Sequence, residues 1–163
     1  MKVLVTGGTG FTGKALVRGL IDANHEVVAL DCKEGLKTQE LRDWGAQVVI
    51  GSITDKAVVA DSVRGVNVVF HLAAAFRELN VPNSHYWDVN VQGTENVLEA
   101  SRKEGVKRFI YCSTQGVHGN VDNPPGDENS PIQPADYYQE TKYEGEIVCR
   151  RYMEKGMKVV ILR

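Results

Sequence analysis

Lys2-Val3-Leu4-Val5-Thr6-Gly7-Gly8-Thr9-Gly10-Phe11-Thr12-Gly13, near the start of the chain, is a short apolar run that empties into glycines. It reads as a buried parallel strand ending at Thr6, a tight turn, and a helix opening near Phe11. Strand, turn and helix in that order aim free helix-terminal N–H groups, and the positive end of the helix dipole, at one point suited to a phosphate. Glycines at 7, 10 and 13 let the backbone approach a pyrophosphate and let the helix lie close to the strand. A glycine triplet alone often marks only a turn. Here a second apolar run, Glu26-Val27-Val28-Ala29-Leu30, ends at Asp31. That acid lies about twenty residues on, the spacing of the dinucleotide fingerprint. The stretch therefore predicts a dinucleotide-binding βαβ unit.

The same rhythm continues along the chain. Strands are expected at Lys2–Thr6, Glu26–Asp31, Gln47–Ile50, Asn67–Leu72, Arg108–Ser113 and Met157–Leu162, each rich in Val, Ile or Leu without strict alternation. Such runs suit a parallel sheet covered on both faces. Helices are expected at about 11–23, 36–44, 55–63, 84–104 and 136–155, with Gly45, Gly65, Gly105 and Gly156 as stops before the following strands. Six strands and five right-handed crossovers give an α/β, doubly wound Rossmann-type sheet with helices on both faces and every βα loop at one edge. Residues 114–135, which hold Pro124, Pro125, Pro131 and Pro134, form a loop too long to be idle in a compact domain.

Composition narrows the function classes. The chain has 163 residues, 42% hydrophobic and 25% charged, with a net charge of −2, which suits one soluble domain over residues 1–163. Its slight acidity and lack of a basic cluster beyond Arg150-Arg151 argue against nucleic acid. No run has the length of a membrane span, and residues 1–25 lack the pattern of a secretory leader. Cys32, Cys112 and Cys149 are scattered and odd in number. They suit reduced thiols in the cytoplasm, not a disulfide frame or a metal site, and Cys112 is expected to pack inside its strand.

Tyr138 and Lys142 stand four apart on the last predicted helix, one turn above the other on one face. An unperturbed phenol has a pKa of about 10. A neighbouring ammonium favours the phenolate and would let the pair exchange protons with an alcohol or carbonyl. The same spacing also arises on solvated helices, so its weight comes from its position after the fifth strand.

The motifs Thr6-Gly-Gly-Thr-Gly-Phe-Thr-Gly13, His71-Leu-Ala-Ala74, Asn90-Val-Gln-Gly-Thr-Glu-Asn96, Ser113-Thr-Gln-Gly-Val-His-Gly119 and Tyr138-x-x-x-Lys142 occur in one order. Together they resemble the extended short-chain dehydrogenases/reductases, the branch of NAD-dependent epimerases and dehydratases. The resemblance implies Tyr138 as catalytic acid/base, Lys142 as the holder of the nicotinamide ribose, and Thr114 as hydrogen-bond partner of the reacting oxygen. Ser113 is the runner-up for that role, expected instead to face the sheet interior or brace the loop. It further implies that Gly7, Gly10 and Gly13 wrap the pyrophosphate with Phe11 and Thr12 beside them. Asp31 would accept from the adenosine ribose, favouring NAD over NADP, although Lys33 is close by. Ser52 and Ile53 would grip adenine, with Ser52 where the family usually carries an acid. Leu72, Ala73 and Ala74 would line the cofactor. His71 is expected to pack at a strand end, Asn90 to support the site, and His118 to be a loop residue where the family often has Tyr.

Family members continue well past the sixth strand, so the chain is expected to be a dinucleotide-binding part with the substrate-binding subdomain largely absent. The function implied is that of an NAD-binding domain of an enzyme acting on a hydroxyl or ketone centre, with a nucleotide sugar as the small-molecule substrate. A hydroxysteroid- or dihydroflavonol-type reductase and a noncatalytic dinucleotide-binding module are the alternatives. Helices 84–104 and 136–155 are those through which the family commonly forms homodimers.

Overall fold

The computed structural model describes residues 1–76, 78, 80–122 and 124–163. Six strands, β1 Lys2–Thr6, β2 Glu26–Asp31, β3 Gln47–Ile50, β4 Val68–His71, β5 Arg108–Cys112 and β6 Val159–Leu162, form one parallel sheet in the order β3-β2-β1-β4-β5-β6. The direction of winding reverses between β1 and β4, where loops diverge and a crevice opens at the strand C-termini. The register pairs Thr6 with both Leu30 and His71, and His71 with Tyr111, so the ends of β1, β2, β4 and β5 lie level.

Helices α1 Phe11–Asp22 and α2 Leu36–Asp43 cover one face of the sheet. Val3, Val5, Val27 and Ala29 point to that side and pack with Val17 and Leu41. The opposite face takes Leu4, Val28, Leu30, Val69, Phe109 and Tyr111 against α3 Lys56–Val63, α5 Thr94–Lys103 and α6 Tyr137–Glu154. Both faces of β1 and β2 are therefore apolar, which is why their sequences do not alternate. Cys149 is buried on the second face, whereas Cys112 is only partly buried, at the end of β5. The expectation that Cys112 packs in the interior thus gives way to a half-covered thiol.

The predicted helix at 84–104 is a composite. A short α4, Asn83–Trp87, widens into a π-helical segment, Asp88–Gly93, before α5 begins at Thr94. A Cβ at Gly93 would lie 2.7 Å from Ile53 Cδ1, so a side chain there would force the Ile53 side chain to shift.

At the other rim, helices end in a repeated left-handed turn. Asn24, Gly45, Gly65, Gly105 and Gly156 all have φ between 59° and 98°. Four of these turns close with paired bonds back to the last helical turn, for example Gly156 N–H to Met153 O and Met157 N–H to Tyr152 O. No described helix is long and apolar enough to cross a membrane.

Candidate active site and cofactor cleft

The glycine turn follows from β1 having to reverse beneath its neighbours. Gly7 adopts φ +70°, and a Cβ there would lie 2.8 Å from the Ala73 nitrogen, so β1 and the end of β4 can approach only without a side chain. Gly13 is buried under the turn, where a Cβ would run into the Gly7 carbonyl. It does not line the cleft, and its part is to let α1 sit against the strand end. Gly10 precedes α1 without a side-chain cap, leaving first-turn N–H groups for a ligand. Phe11, 97% exposed, and Thr12 stand on that turn, where their backbone N–H groups are what an anion would meet.

A cleft of about 520 Å³ opens beside this turn, lined by Gly7, Gly10, Asp31, Ser52, Ile53 and the run Leu72 to Ala74. Asp31 Oδ2 accepts from Thr9 N–H at 3.0 Å and from the Thr9 hydroxyl at 2.6 Å, while Oδ1 accepts from Cys32 N–H at 2.8 Å. The carboxylate is thus fixed at the cleft wall, negative towards any group entering. Ser52 shares a 2.7 Å hydrogen bond with Thr54, and Ile53 is buried at the cleft floor. Asn96 Nδ2 donates to the Ile53 carbonyl at 3.1 Å and fixes that loop.

Sequence reasoning missed Thr9 as the clamp on Asp31, and also His85, Val89 and Glu78, which line the same cleft. His85 and Val89 lie one helical turn apart, a spacing that was available as a signal. The His85–Glu78 contact, Nε2 to Oε2 at 3.3 Å, joins segments that no local pattern connects.

A second cavity of about 480 Å³ brings Thr114 and Tyr138 together with Phe76, Tyr86, Gln115 and Asp136. Asp136 caps α6 by accepting from Gln139 N–H at 2.8 Å, which places Tyr138 in the first turn. The Tyr138 ring meets Phe76 edge-on, with centroids 4.8 Å apart. Thr114 caps the 3₁₀ turn Gln115–His118, accepting from Gly116 N–H at 3.1 Å. Ser113 faces the other way and donates to Glu146 Oε1 at 2.6 Å. The two adjacent hydroxyls divide into one at the cavity and one in the interior.

Lys142 lines neither space. It is 2% exposed, and its ammonium sits 4.3 Å from the centroid of the Tyr111 ring. Burial lowers its pKa to about 8. The residue expected to hold a ribose is therefore stowed beneath Tyr138, because the face of α6 that carries it is pressed onto β5.

Behind the cavity, Glu146 is wholly buried and gathers charge-assisted bonds. It accepts from Arg163 Nη2 at 2.7 Å, Arg163 Nε at 3.0 Å and Arg150 Nη2 at 3.2 Å. Burial alone would raise its pKa, yet the bonds from Arg163 and Ser113 outweigh that and lower it. His118, far from being an idle loop residue, is buried. Its Nδ1 faces the Ser130 and Pro131 carbonyls, and its Nε2 lies 3.1 Å from Arg163 Nη1, which ties the long loop to β6. Among the described residues, no group of three His, Cys, Asp or Glu side chains is placed to hold a metal ion.

Comparison with known proteins agrees with this geometry. The model of the NAD dependent epimerase/dehydratase family matches residues 3–163. The chain is 37% identical over 94% of its length to an N-acetyl-alpha-D-glucosaminyl-diphospho-ditrans,octacis-undecaprenol 4-epimerase of Escherichia coli O157:H7, covering 44% of that protein. It is 37% identical over 99% of its length to a putative UDP-glucose 4-epimerase of Methanocaldococcus jannaschii, covering 54% of it. The structure of DesIV, a dTDP-glucose 4,6-dehydratase from Streptomyces venezuelae with NAD and TYD bound, superposes with a TM-score of 0.89 at 32% identity, over 99% of this chain and 54% of that one. The chain spans about half the length of the relatives it matches.

Proposed function

We propose a function from the premise that this chain belongs to the NAD dependent epimerase/dehydratase family: it is the NAD-binding part of an enzyme that oxidises a hydroxyl-bearing carbon of a nucleotide sugar. One observation carries the reading. The cleft holding the glycine turn and Asp31 opens at the same sheet edge as the cavity where Thr114 and Tyr138 meet.

The residues present fit the cofactor. The uncapped start of α1 and the side-chain-free approach of Gly7 to Ala73 suit a pyrophosphate. Asp31 accepts ribose hydroxyls and repels a 2′-phosphate. Bound NAD supplies the acceptor for the hydride that leaves the substrate carbon. Tyr138 takes the proton of the substrate hydroxyl, and the C–O bond becomes a carbonyl. Thr114 has its lone pairs partly engaged by Gly116 N–H and gives its own O–H to that oxygen. Lys142 leaves the Tyr111 face to take up the ribose hydroxyls, and its positive charge favours the phenolate of Tyr138. The ketone is then epimerised, dehydrated or released by the complete enzyme. Two copies of the chain pair through helices 84–104 and 136–155, where Trp87 and Met153 are exposed apolar groups. Sedimentation showing only monomer would remove that pairing.

Calorimetry with NAD and NADP tests the cofactor assignment. NAD should bind the tighter of the two, and Asp31→Ala should narrow the gap. Tighter NADP binding, or no heat with either, overturns it. In the complete enzyme, Tyr138→Phe should abolish hydride transfer and leave NAD affinity within about twofold, since loss is confined to the proton-transfer step.

A further inference from the structure

Beneath both cavities runs a chain of buried polar groups that the proposed chemistry does not use. His71 ends β4 and is fully buried, its ring between Phe109 and Tyr111 at centroid distances of 5.7 and 5.8 Å. Its Nδ1 lies 2.7 Å from Thr6 Oγ1, and its Nε2 lies 3.0 Å from Thr94 Oγ1.

The proton positions follow by elimination. A carbonyl can only accept, so the Thr94 hydroxyl donates its single proton to the Asn90 carbonyl at 2.7 Å. Thr94 must then accept from His71, which places the imidazole proton on Nε2. Thr6 Oγ1 accepts from Ala73 N–H at 3.2 Å and spends its own proton on Nδ1. Asn90 continues the line. Its Oδ1 accepts from Ala75 N–H at 2.8 Å, and its Nδ2 donates to the Ala75 carbonyl at 3.2 Å and to Thr141 Oγ1 at 3.0 Å. The Thr141 hydroxyl donates to the Tyr138 carbonyl at 2.9 Å. Every bond has one allowed direction, and the run joins the β1 turn to the first turn of α6.

We propose that His71, locked as the neutral Nε2–H tautomer, is a positioning residue that couples the cofactor half of the site to the helix carrying Tyr138. On one side it fixes Thr6 and, through it, the Ala73 amide at the cleft wall. On the other it fixes Thr94 and Asn90, which hold Ala75 and Thr141. The titratable groups facing it are Lys142 and Tyr111, and burial first, then the Lys142 charge, lowers its pKa to about 3. Protonation would give Nδ1 a hydrogen aimed at a hydroxyl that already donates to it, and would break the line. The cofactor side of this proposal rests on the NAD reading above; the tautomer does not.

The test uses the intact chain. ¹⁵N NMR of the imidazoles, with the His71 signals identified by their loss in His71→Asn, should show the Nε2–H pattern unchanged from pH 5 to 9. Titration within that range, or an Nδ1–H pattern, overturns the lock. The amides then separate the two arms. Asn places an acceptor near Nδ1 and keeps the Thr6 bond, whereas Gln places a donor near Nε2 and keeps only the Thr94 bond. By calorimetry His71→Gln should weaken NAD at least tenfold and His71→Asn by less than about threefold. Equal losses, or none, overturn the coupling. Thr94→Val, close in shape, should shift the Asn90 side-chain amide signals without unfolding the chain; unshifted signals count against the proposal. Absence of NAD binding by the unmodified chain overturns the cofactor arm and the functional reading, whereas the tautomer spectrum decides the lock by itself.

Discussion

Lys142 brings an ammonium into a place with little water, and the fold bears the cost. With a folded pKa of about 8 against an ordinary 10.5, the unfolded chain binds more protons between those values. Stability therefore rises with pH through that window, and below about 8 the full cost of the buried charge is present. Lys142→Met should raise stability at pH 7.5 by about 1–3 kcal/mol, since apolar replacement of a poorly compensated buried charge is commonly favourable. The gap between the melting temperatures of the two proteins should shrink as pH is raised from 7.5 to 10. The same variant should bind NAD more weakly. A melting temperature lowered by the substitution would show that the Tyr111 ring compensates the charge in full. Asp31 and the Tyr138/Lys142 pair stood out as candidates because each belongs to a local pattern, a strand end or a helix spacing, whereas Thr114 became a candidate only through the family resemblance. The burial of Lys142 was not legible, because it depends on how closely α6 meets β5, and no window of sequence contains both.

At the scale of elements, α6 is held to the sheet by one absence and one charge. A Cβ at Gly145 would collide with the Tyr111 hydroxyl, which itself donates to the Lys142 carbonyl at 3.1 Å. Ala is normally worth about 1 kcal/mol over Gly inside a helix. Here Gly145→Ala should instead destabilise by about 1–3 kcal/mol, the usual cost of overpacking, and denaturant titration measures it. Glu146, one residue on, pins β5 through Ser113 and β6 through Arg163. Glu146→Gln leaves the Arg163 guanidinium without its counter-charge and should cost about 3–5 kcal/mol at pH 7. The carboxyl's folded pKa is depressed, so its stabilisation holds above the unfolded value and is lost as pH falls through the folded one. Acid unfolding of the Gln variant should accordingly be less steep. Strands and helices were readable because apolar runs and glycine stops are local. The π segment at Asp88–Gly93 was not: Asn90 within it bonds Ala75 and Thr141, partners that lie outside any local window of sequence.

For the whole molecule, the winding order decides where chemistry can occur. Reversal between β1 and β4 puts the cofactor cleft and the Thr114–Tyr138 cavity on one rim. That every βα loop lies on one rim follows from a βα rhythm and the right-handed crossover, whereas the order β3-β2-β1-β4-β5-β6 and the point of reversal do not, since other strand orders satisfy both. The long-range polar links, such as Thr9 to Asp31 and Arg163 to His118, were not foreseeable. The opposite rim, with its five left-handed helix ends, has a practical use. Ala23 is exposed there, in the turn after α1, whereas Cys32 is exposed at the mouth of the cleft. With Cys32 and the half-covered Cys112 replaced by Ser, a maleimide tether on Ala23→Cys should mount the protein on a sensor surface blunt side down, with NAD affinity within about twofold of the value for untethered protein. The same tether on Cys32 itself should plug the entrance and silence the sensor.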